Sequence, residues 1–455
     1  MLAAIEVTTA LSTSRYAFPI SIAWEDEEPC PFEVPLAFAR VRRGRRVGLL
    51  TDGFASPRFA RLVLANMARN THVPFGGGEL EFRAMPGVDL DLPADAEIEW
   101  PRAEQSNSSC IVERKAVIKL FRRVTTGIHP EVEMGRILTQ RNFTGIPPLL
   151  GEVSRRDSEG ITAAVGIVQG FIANQGDGSG WTKEMLMRIV DEQSVAPRDR
   201  NPFGAYEAFA RVLGRRTGEM HSVLAEHTDN PDFTPETASE STVQHWFKQA
   251  RWQLEEAFRA LEKYAGQERS SLSRLNEQRD QIFRALEGLL LPNRGAACTR
   301  IHGDFHLGQV LVAGSDVIII DFEGEPLKPL SERRAKLSPM RDVAGMIRSF
   351  DYAAGVVERE GQLSAAGRGH VRAHSLLDQF RHAAEGAFLA GYEEGRGKPL
   401  SRKERHLIRA FTIEKAAYEI VYEAANRPDW IDIPLRGLAA LLEGQSVAPE
   451  FADAE

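Results

Sequence analysis

Hydrophobic positions recur every second residue in the first part of the chain and every third or fourth residue in the rest. Within residues 1–85, β-like runs at 4–9, 16–24 and 47–50 alternate with turn residues, which predicts short strands. One helix interrupts them at 56–70, where Phe59, Leu62, Val63 and Met67 fall at helical spacing. The cluster Gly76-Gly77-Gly78 predicts a tight turn into a strand at 80–82. No Lys-Ser/Thr pair follows it, so it does not read as a phosphate loop. Residues 86–175 are strand-rich again, with strands at 109–112 and 116–120 paired around Glu113-Arg114-Lys115, and another at 161–171. A helix opens across 127–133 with Pro130 in its first turn. The polar, glycine-rich loop at 173–180 has the composition of a hinge. From about residue 181 helical spacing takes over, clearest at 244–262, 271–290, 375–392 and 402–425, and only 300–325 breaks it. The charged stretch 263–280 fits either a long helix or a connection. Strands first and helices after predict an α+β fold with a β-rich N-terminal part and a mostly helical C-terminal lobe.

The break in the helical pattern carries the chemistry. Arg300-Ile301-His302-Gly303-Asp304-Phe305-His306-Leu307-Gly308-Gln309 is followed shortly by Asp321-Phe322-Glu323-Gly324-Glu325. Between them, Val310-Leu311-Val312 and Val317-Ile318-Ile319-Ile320 predict a β-hairpin that presents both groups on one side of a cleft. An aspartate five residues before an amide, with a second aspartate past a β-branched strand, is how kinase-like phosphotransferases place a base and hold Mg²⁺. In that arrangement Asp304 accepts the proton of the acceptor hydroxyl, and Gln309 and Asp321 offer oxygen ligands to the metal. Taken singly, Asp304 suits a turn or helix cap and Asp321 a strand end. Their order and distance, with His302 and Gly303 alongside, favour the chemistry.

Composition narrows the class. A chain of 455 residues exceeds one hydrophobic core and predicts two or three packed units. A net charge of −8 gives no invitation to nucleic acid or to an anionic membrane. The basic run Arg40–Arg46 is expected to be a solvated loop. Cys30, Cys110 and Cys298 are odd in number and widely spaced, which argues against a disulfide framework or zinc site and fits a reducing cytoplasm. Residues 1–10 lack a basic leader, and no run approaches the roughly 20 apolar residues of a membrane span.

A β-rich lobe joined to a helical lobe with catalytic aspartates predicts an ATP cleft, which needs a cation for the phosphates. Lys119 sits late in the apolar strand at 116–121, where a charge needs a partner, and Glu133 on the following helix is the expected one. The polar run Glu104–Ser109 lies between two strands. Its small residues Ser106, Asn107, Ser108 and Ser109 let backbone N–H groups approach phosphate oxygens.

These motifs resemble those of the bacterial maltokinases, enzymes of eukaryotic-like kinase fold similar to aminoglycoside phosphotransferases. The matching stretches are 104–109, 116–127, 301–326, 338–349 and 414–423, running on into Arg427-Pro428-Asp429-Trp430 and Ile433-Pro434-Leu435-Arg436. The resemblance implies a bilobal protein-kinase-like fold. It implies a cap subdomain at 1–85, a nucleotide-binding subdomain at 86–175 and a catalytic and sugar-binding lobe at 176–455. It further implies ATP and Mg²⁺ as cofactors, Asp304 as base, Gln309 and Asp321 with Glu323 as metal ligands, and Lys119–Glu133 as the ATP-anchoring pair. Asp342 is expected to brace the catalytic loop. His306, Lys415, Tyr418, Glu419, Tyr422 and Trp430 form the expected acceptor site, four of them at the helical spacings that put Lys415, Tyr418, Glu419 and Tyr422 on one face. The implied reaction is transfer of the γ-phosphate to the anomeric hydroxyl of maltose, feeding α-glucan synthesis, with trehalose synthase as a fusion or complex partner. At the N-terminus the chain departs from the family, having no Arg-Trp-Phe-type opening. Two other readings compete. One is a kinase for an amino sugar such as glucosamine or for an aminoglycoside, with Glu419 and Glu423 meeting the acceptor's amine. The other is an inactive kinase-like module, against which the intact Lys119, Asp304, Gln309 and Asp321 argue.

Overall fold

The computed structural model describes residues 2–9, 13–27, 34–90, 93, 96–101, 107–195, 201–264, 269–326, 328–362 and 368–443. The chain divides into two units, one of residues 1–173 with 328–330 and one of residues 174–327 with 331–455.

The first unit contains strands β1 (Leu2–Thr8), β2 (Thr13–Trp24), β3 (Ala37–Arg43), β4 (Arg46–Asp52), β5 (His72–Phe75), β6 (Gly78–Ala84), β7 (Ile98–Glu99), β8 (Ser108–Val112), β9 (Ala116–Leu120), β10 (Arg123–Val124), β11 (Leu149–Arg156) and β12 (Thr162–Gly170). Helices α1 (Pro57–Ala68) and α2 (Pro130–Gln140) accompany them. One sheet runs β1-β2-β4-β3 with β10 added to β2, and the other runs β5-β6-β11-β12-β9-β8-β7. The glycine cluster makes the expected tight turn. Phe75 pairs with Gly78, and Gly76 and Gly77 take φ of +55° and +77°, the left-handed values a two-residue hairpin requires. The basic run 40–46, expected as a loop, is instead the β3–β4 hairpin turning at Gly44. Its arginines are exposed, so a charge-rich strand survives where one face meets water, and Arg46 pairs with Asp26 and Glu27. α1 starts with Pro57 in its first turn and buries Ala60, Val63, Leu64 and Met67, leaving Leu62 exposed. Met67 seats on Gly151 of β11, where a Cβ would stand 2.1 Å from its sulfur.

The rest of the chain contributes helices α3 (Gly178–Val195), α4 (Gly204–Leu224), α5 (Glu240–Leu261), α6 (Arg269–Glu277), α7 (Arg279–Leu290), the short α8 (Leu330–Arg333), α9 (Met340–Gln362), α10 (Arg368–Arg396), α11 (Arg402–Asn426) and α12 (Asp432–Glu443). Its strands are β13 (Glu236–Thr237), β14 (Ala297–Cys298), β15 (Val310–Ala313) and β16 (Asp316–Ile319). The stretch 263–280 is not one helix, since α6 and α7 are separate elements parted at Gln278. Helices α4 and α10 touch backbone to backbone through Gly214 and Gly218 on one and Gly391 and Gly395 on the other. A Cβ at Gly214 would stand 1.9 Å from the carbonyl oxygen of Phe388, and one at Gly391 would stand 1.9 Å from that of Arg211. Around this seam Tyr206, Phe350, Phe380 and Phe388 pack as edge-on aromatic pairs. Helix α11 opens with a reciprocal cap between Ser401 and Glu404 and stops at Arg427, before Pro428. It buries Leu407, Phe411, Ala416 and Ile420 while Lys415, Tyr418 and Tyr422 stay partly accessible.

Gly391→Ala should therefore destabilise the chain. Overpacking of about 1–3 kcal/mol exceeds the gain of roughly 1 kcal/mol that alanine brings to a helix. Urea denaturation reads the effect, and an unchanged midpoint would show that the two helices separate without cost.

Candidate active site

The hairpin β15–β16 is in register from Val310–Ile319 to Ala313–Asp316, and the Ile320 N–H donates to the Gln309 carbonyl at 3.0 Å, extending it by one bond. Gln309 and Asp321 thus flank its open end. Asp321 takes φ of +66°, a left-handed conformation uncommon for a residue with a side chain. The turn after it is held by the Glu323 N–H donating to the Asp321 carbonyl at 2.8 Å. A carboxylate oxygen of Asp321 lies within 4.8 Å of one of Glu323. Such oxygen donors suit a hard divalent cation, and Gln309, Asp321 and Glu323 are the residues that would hold one. His302 ties the two motifs together. Its Nε2 donates to the Ile320 carbonyl at 2.8 Å, and its ring packs against Phe305 and Phe322.

Beneath this loop lies Asp342, near the start of α9 and only 2% exposed. It accepts the His302 N–H at 2.8 Å and the Gly303 N–H at 2.9 Å, the bracing arrangement expected of it. The same carboxylate meets Nε2 of His221 at 3.1 Å, and Nδ1 of His221 lies 3.0 Å from the Tyr392 hydroxyl. A carboxylate only accepts, so His221 presents Nε2–H to Asp342 and takes the Tyr392 proton donor on Nδ1. Burial alone would push the Asp342 carboxyl up, but His221, His302 and the Gly303 amide outweigh it and hold the group below its usual 3.8. No motif in the sequence pointed to His221, because α4 carries it from more than a hundred residues upstream.

Asp304, on the loop braced by Asp342, meets Lys415 of α11 at 3.5 Å. The Lys415 ammonium also lies 4.7 Å from the centre of the Tyr418 ring. Burial pulls the Lys415 pKa down, but Asp304, Glu325 and Glu419 outweigh it and raise the value, so the side chain stays charged. Tyr418 and Tyr422 stack with centroids 6.3 Å apart on the expected face. Glu419 does not form the ordinary helical pair with Lys415. Arg348, a residue the sequence did not single out, grips it with two bonds of 3.3 and 2.5 Å. Glu423 is likewise engaged, by Tyr352 at 2.9 Å and Arg427 at 2.6 Å. Trp430 has the guanidinium groups of Arg359 and Arg427 over its ring, each 5.1 Å from the centroid. His306 uses Nδ1 to accept the Gly308 N–H at 3.0 Å, and burial lowers its pKa, so it is a neutral turn-forming imidazole.

In the other unit, Lys119 of β9 is 7% exposed and pairs with Glu131 at 2.8 Å. The expected partner Glu133 is buried on the same first turn of α2, two residues beyond Glu131. Ser108 and Ser109 are the first residues of β8, opposite Leu120 and Lys119. Ser108 accepts from Arg122 Nε at 2.7 Å. Asn107 forms the bend before β8, and Ser106 lies outside the described residues.

Comparisons with known proteins add the family level. Residues 101–407 match the phosphotransferase enzyme family. A glucosamine kinase of Mycolicibacterium smegmatis is 26% identical over 343 residues, 75% of this chain and 78% of that protein. A glucosamine kinase of Streptacidiphilus jiangxiensis is 26% identical over 346 residues, 74% of this chain and 72% of that protein. The solved structure of a glucosamine kinase in complex with glucosamine, ADP and inorganic phosphate has a TM-score of 0.68 at 21% identity, covering 97% of this chain and 91% of that one. The chain is thus α+β with that fold, its β-rich region first and its helical region after. The motifs had suggested maltokinases, whereas these relatives carry the name of the rival amino-sugar kinases. Among the described residues, no helix is long and apolar enough to cross a membrane.

Asp342→Asn should destabilise the chain by about 2–4 kcal/mol at neutral pH, because an amide cannot accept from three donors at once. A depressed folded-state pKa contributes stability that is complete above the ordinary 3.8 and fades as pH falls through the lowered value. Denaturant midpoints of parent and variant should therefore differ by a constant amount from neutral pH down to mild acid and converge only below 3.8. Convergence well above that value would show that Asp342 is not the group responsible.

Proposed function

Because the chain belongs to the phosphotransferase enzyme family, we propose that it is an ATP-dependent sugar kinase whose acceptor is an amino sugar of the glucosamine kind. The observation that carries this reading is Asp304 on its braced loop, beside the Lys415 ammonium and the tyrosines of α11. Asp304 takes the proton from the acceptor hydroxyl as it attacks the γ-phosphorus in line with the departing oxygen of ADP. Lys415 donates toward oxygen that gathers charge during transfer, and Lys119, held by Glu131, does the same for the phosphate tail. Mg²⁺ on Gln309, Asp321 and Glu323, when bound, would neutralise phosphate charge. Positioning and electrostatics do the rest.

An amine on the acceptor suits the acidic surroundings of Lys415, where Asp304, Glu325 and Glu419 all act on one ammonium. Glu419 and Glu423, first considered for the amine, are held by Arg348, Tyr352 and Arg427, which shifts that role toward Glu325 and Asp304. Maltose is the second reading. The stacked Tyr418–Tyr422 pair, with Tyr422 exposed, offers a surface for a second glucose ring. An association with trehalose synthase finds no support in the relatives and is not part of the proposal.

ADP release with Mg-ATP and glucosamine, maltose, glucose and trehalose in turn tests the assignment. Glucosamine turnover is expected. Turnover with maltose alone, giving a product that resists reducing-end reagents, would install the second reading, and silence with every sugar would point to an inactive module. Asp304→Asn should lower kcat by about 10²–10⁴-fold with the far-ultraviolet spectrum unchanged. Parental activity in that variant would remove Asp304 from the mechanism.

A further inference from the structure

The helical unit holds a cavity of about 490 Å³ next to the brace beneath the loop that carries Asp304. His221 and Tyr392 line it, so the histidine that holds Asp342 forms part of its wall. Arg294, Arg396, Lys398 and Lys403 line it as well, and the carboxylate that faces them is Glu404. Both oxygens of Glu404 are already engaged. Arg396 Nη2 reaches Oε1 at 2.6 Å, and the Ser401 N–H and hydroxyl reach Oε2 at 2.9 and 2.8 Å. Four cations against one committed carboxylate make a local positive excess in a chain of net charge −8.

Two buried groups show that the excess is not merely a solvated rim. The Arg396 side chain is 8% exposed, and its Nη1 has no hydrogen-bond partner among the described residues. Thr299, fully buried, has its hydroxyl in the same condition while its backbone is satisfied by Leu337 on both sides. Buried donors left without acceptors are costly and uncommon, and here two of them belong to residues that line one basic cavity.

We propose that this cavity binds a phosphomonoester of hexose-phosphate size, and that the bound anion stiffens the brace beneath Asp304. A phosphate dianion takes the free edge of the Arg396 guanidinium and the Thr299 hydroxyl, with Lys398, Lys403 and Arg294 supplying charge from the rim. The volume is in the range of small-metabolite sites and exceeds what phosphate alone fills. The coupling path is short. Arg396 lies 5.5 Å from the centre of the Tyr392 ring, Tyr392 meets His221, and His221 meets Asp342, which holds the His302 and Gly303 amides. The site stands apart from the acceptor site, and its binding does not depend on which sugar is phosphorylated.

Isothermal titration of the full chain, free of nucleotide and metal, with glucose 6-phosphate, inorganic phosphate and glucose tests the proposal. Expected are saturable binding of glucose 6-phosphate, weaker binding of phosphate and none of glucose. The double variant K398E/K403E should weaken glucose 6-phosphate binding by at least about tenfold, and Lys119→Ala should leave it within about twofold. Thr299→Val, which removes an unpartnered hydroxyl at nearly constant shape, should keep the unfolding midpoint and also weaken binding. Exchange of the His302 and Gly303 amides should slow in the complex. Absence of saturable binding, loss through Lys119→Ala instead of the rim variants, or equal affinity for phosphate and glucose 6-phosphate would overturn the assignment. Unchanged amide exchange in the bound chain would overturn the coupling.

Discussion

The catalytic geometry depends on one buried carboxylate. Asp342 gathers two backbone amides from the loop and one imidazole from α4, and its charge survives burial only because all three donors converge on it. Remove any of them and an ionised group in a low-dielectric interior loses compensation. The loop carrying Asp304 has no regular secondary structure of its own, so its shape is set by Asp342 from below and by His302 reaching the end of β16 from the side. Gly303 at φ +85° is a conformation open to glycine, whereas Asp321 at φ +66° is uncommon for a residue with a side chain.

The imidazole donor and the tyrosine behind it come from helices whose position is fixed by close backbone contact. Glycines at 214, 218, 391 and 395 bring α4 and α10 together until a methyl group no longer fits, and His221 and Tyr392 lie on those same helices. The acceptor side has a second electrostatic frame. Arg348, fully buried, holds Glu419 and Asp351, and Asp351 in turn meets Arg381 at 2.7 Å. The charges on α11 are thereby divided. Glu419 is committed to the interior, and Lys415 is left to face Asp304.

Much of the framework was legible because it is local. The helix at 57–68, the hairpins at 75–78 and 310–319, the strands at 108–120 and the capped helix 402–426 follow from periodicity, paired glycines and capping residues that act within a few positions. The departures are all matters of long-range packing. Exposed arginines at 40–46 suit a strand once β4 lies beside it, and Leu62 falls off the buried stripe because α1 meets the sheet through Met67. Trp430 meets Arg359 of α9, seventy-one residues upstream, as well as the neighbouring Arg427.

By itself the sequence determined the fold class and singled out an aspartate, an amide and a second aspartate at intervals that suit a phosphotransferase. Tertiary structure decided which partner each charge takes: it brings Glu131 to Lys119, Arg348 to Glu419, and His221 to Asp342. The physical reason is that ion-pair energy falls with separation and rises with burial. Both quantities are fixed by how distant segments pack, not by how far apart two residues stand along the chain.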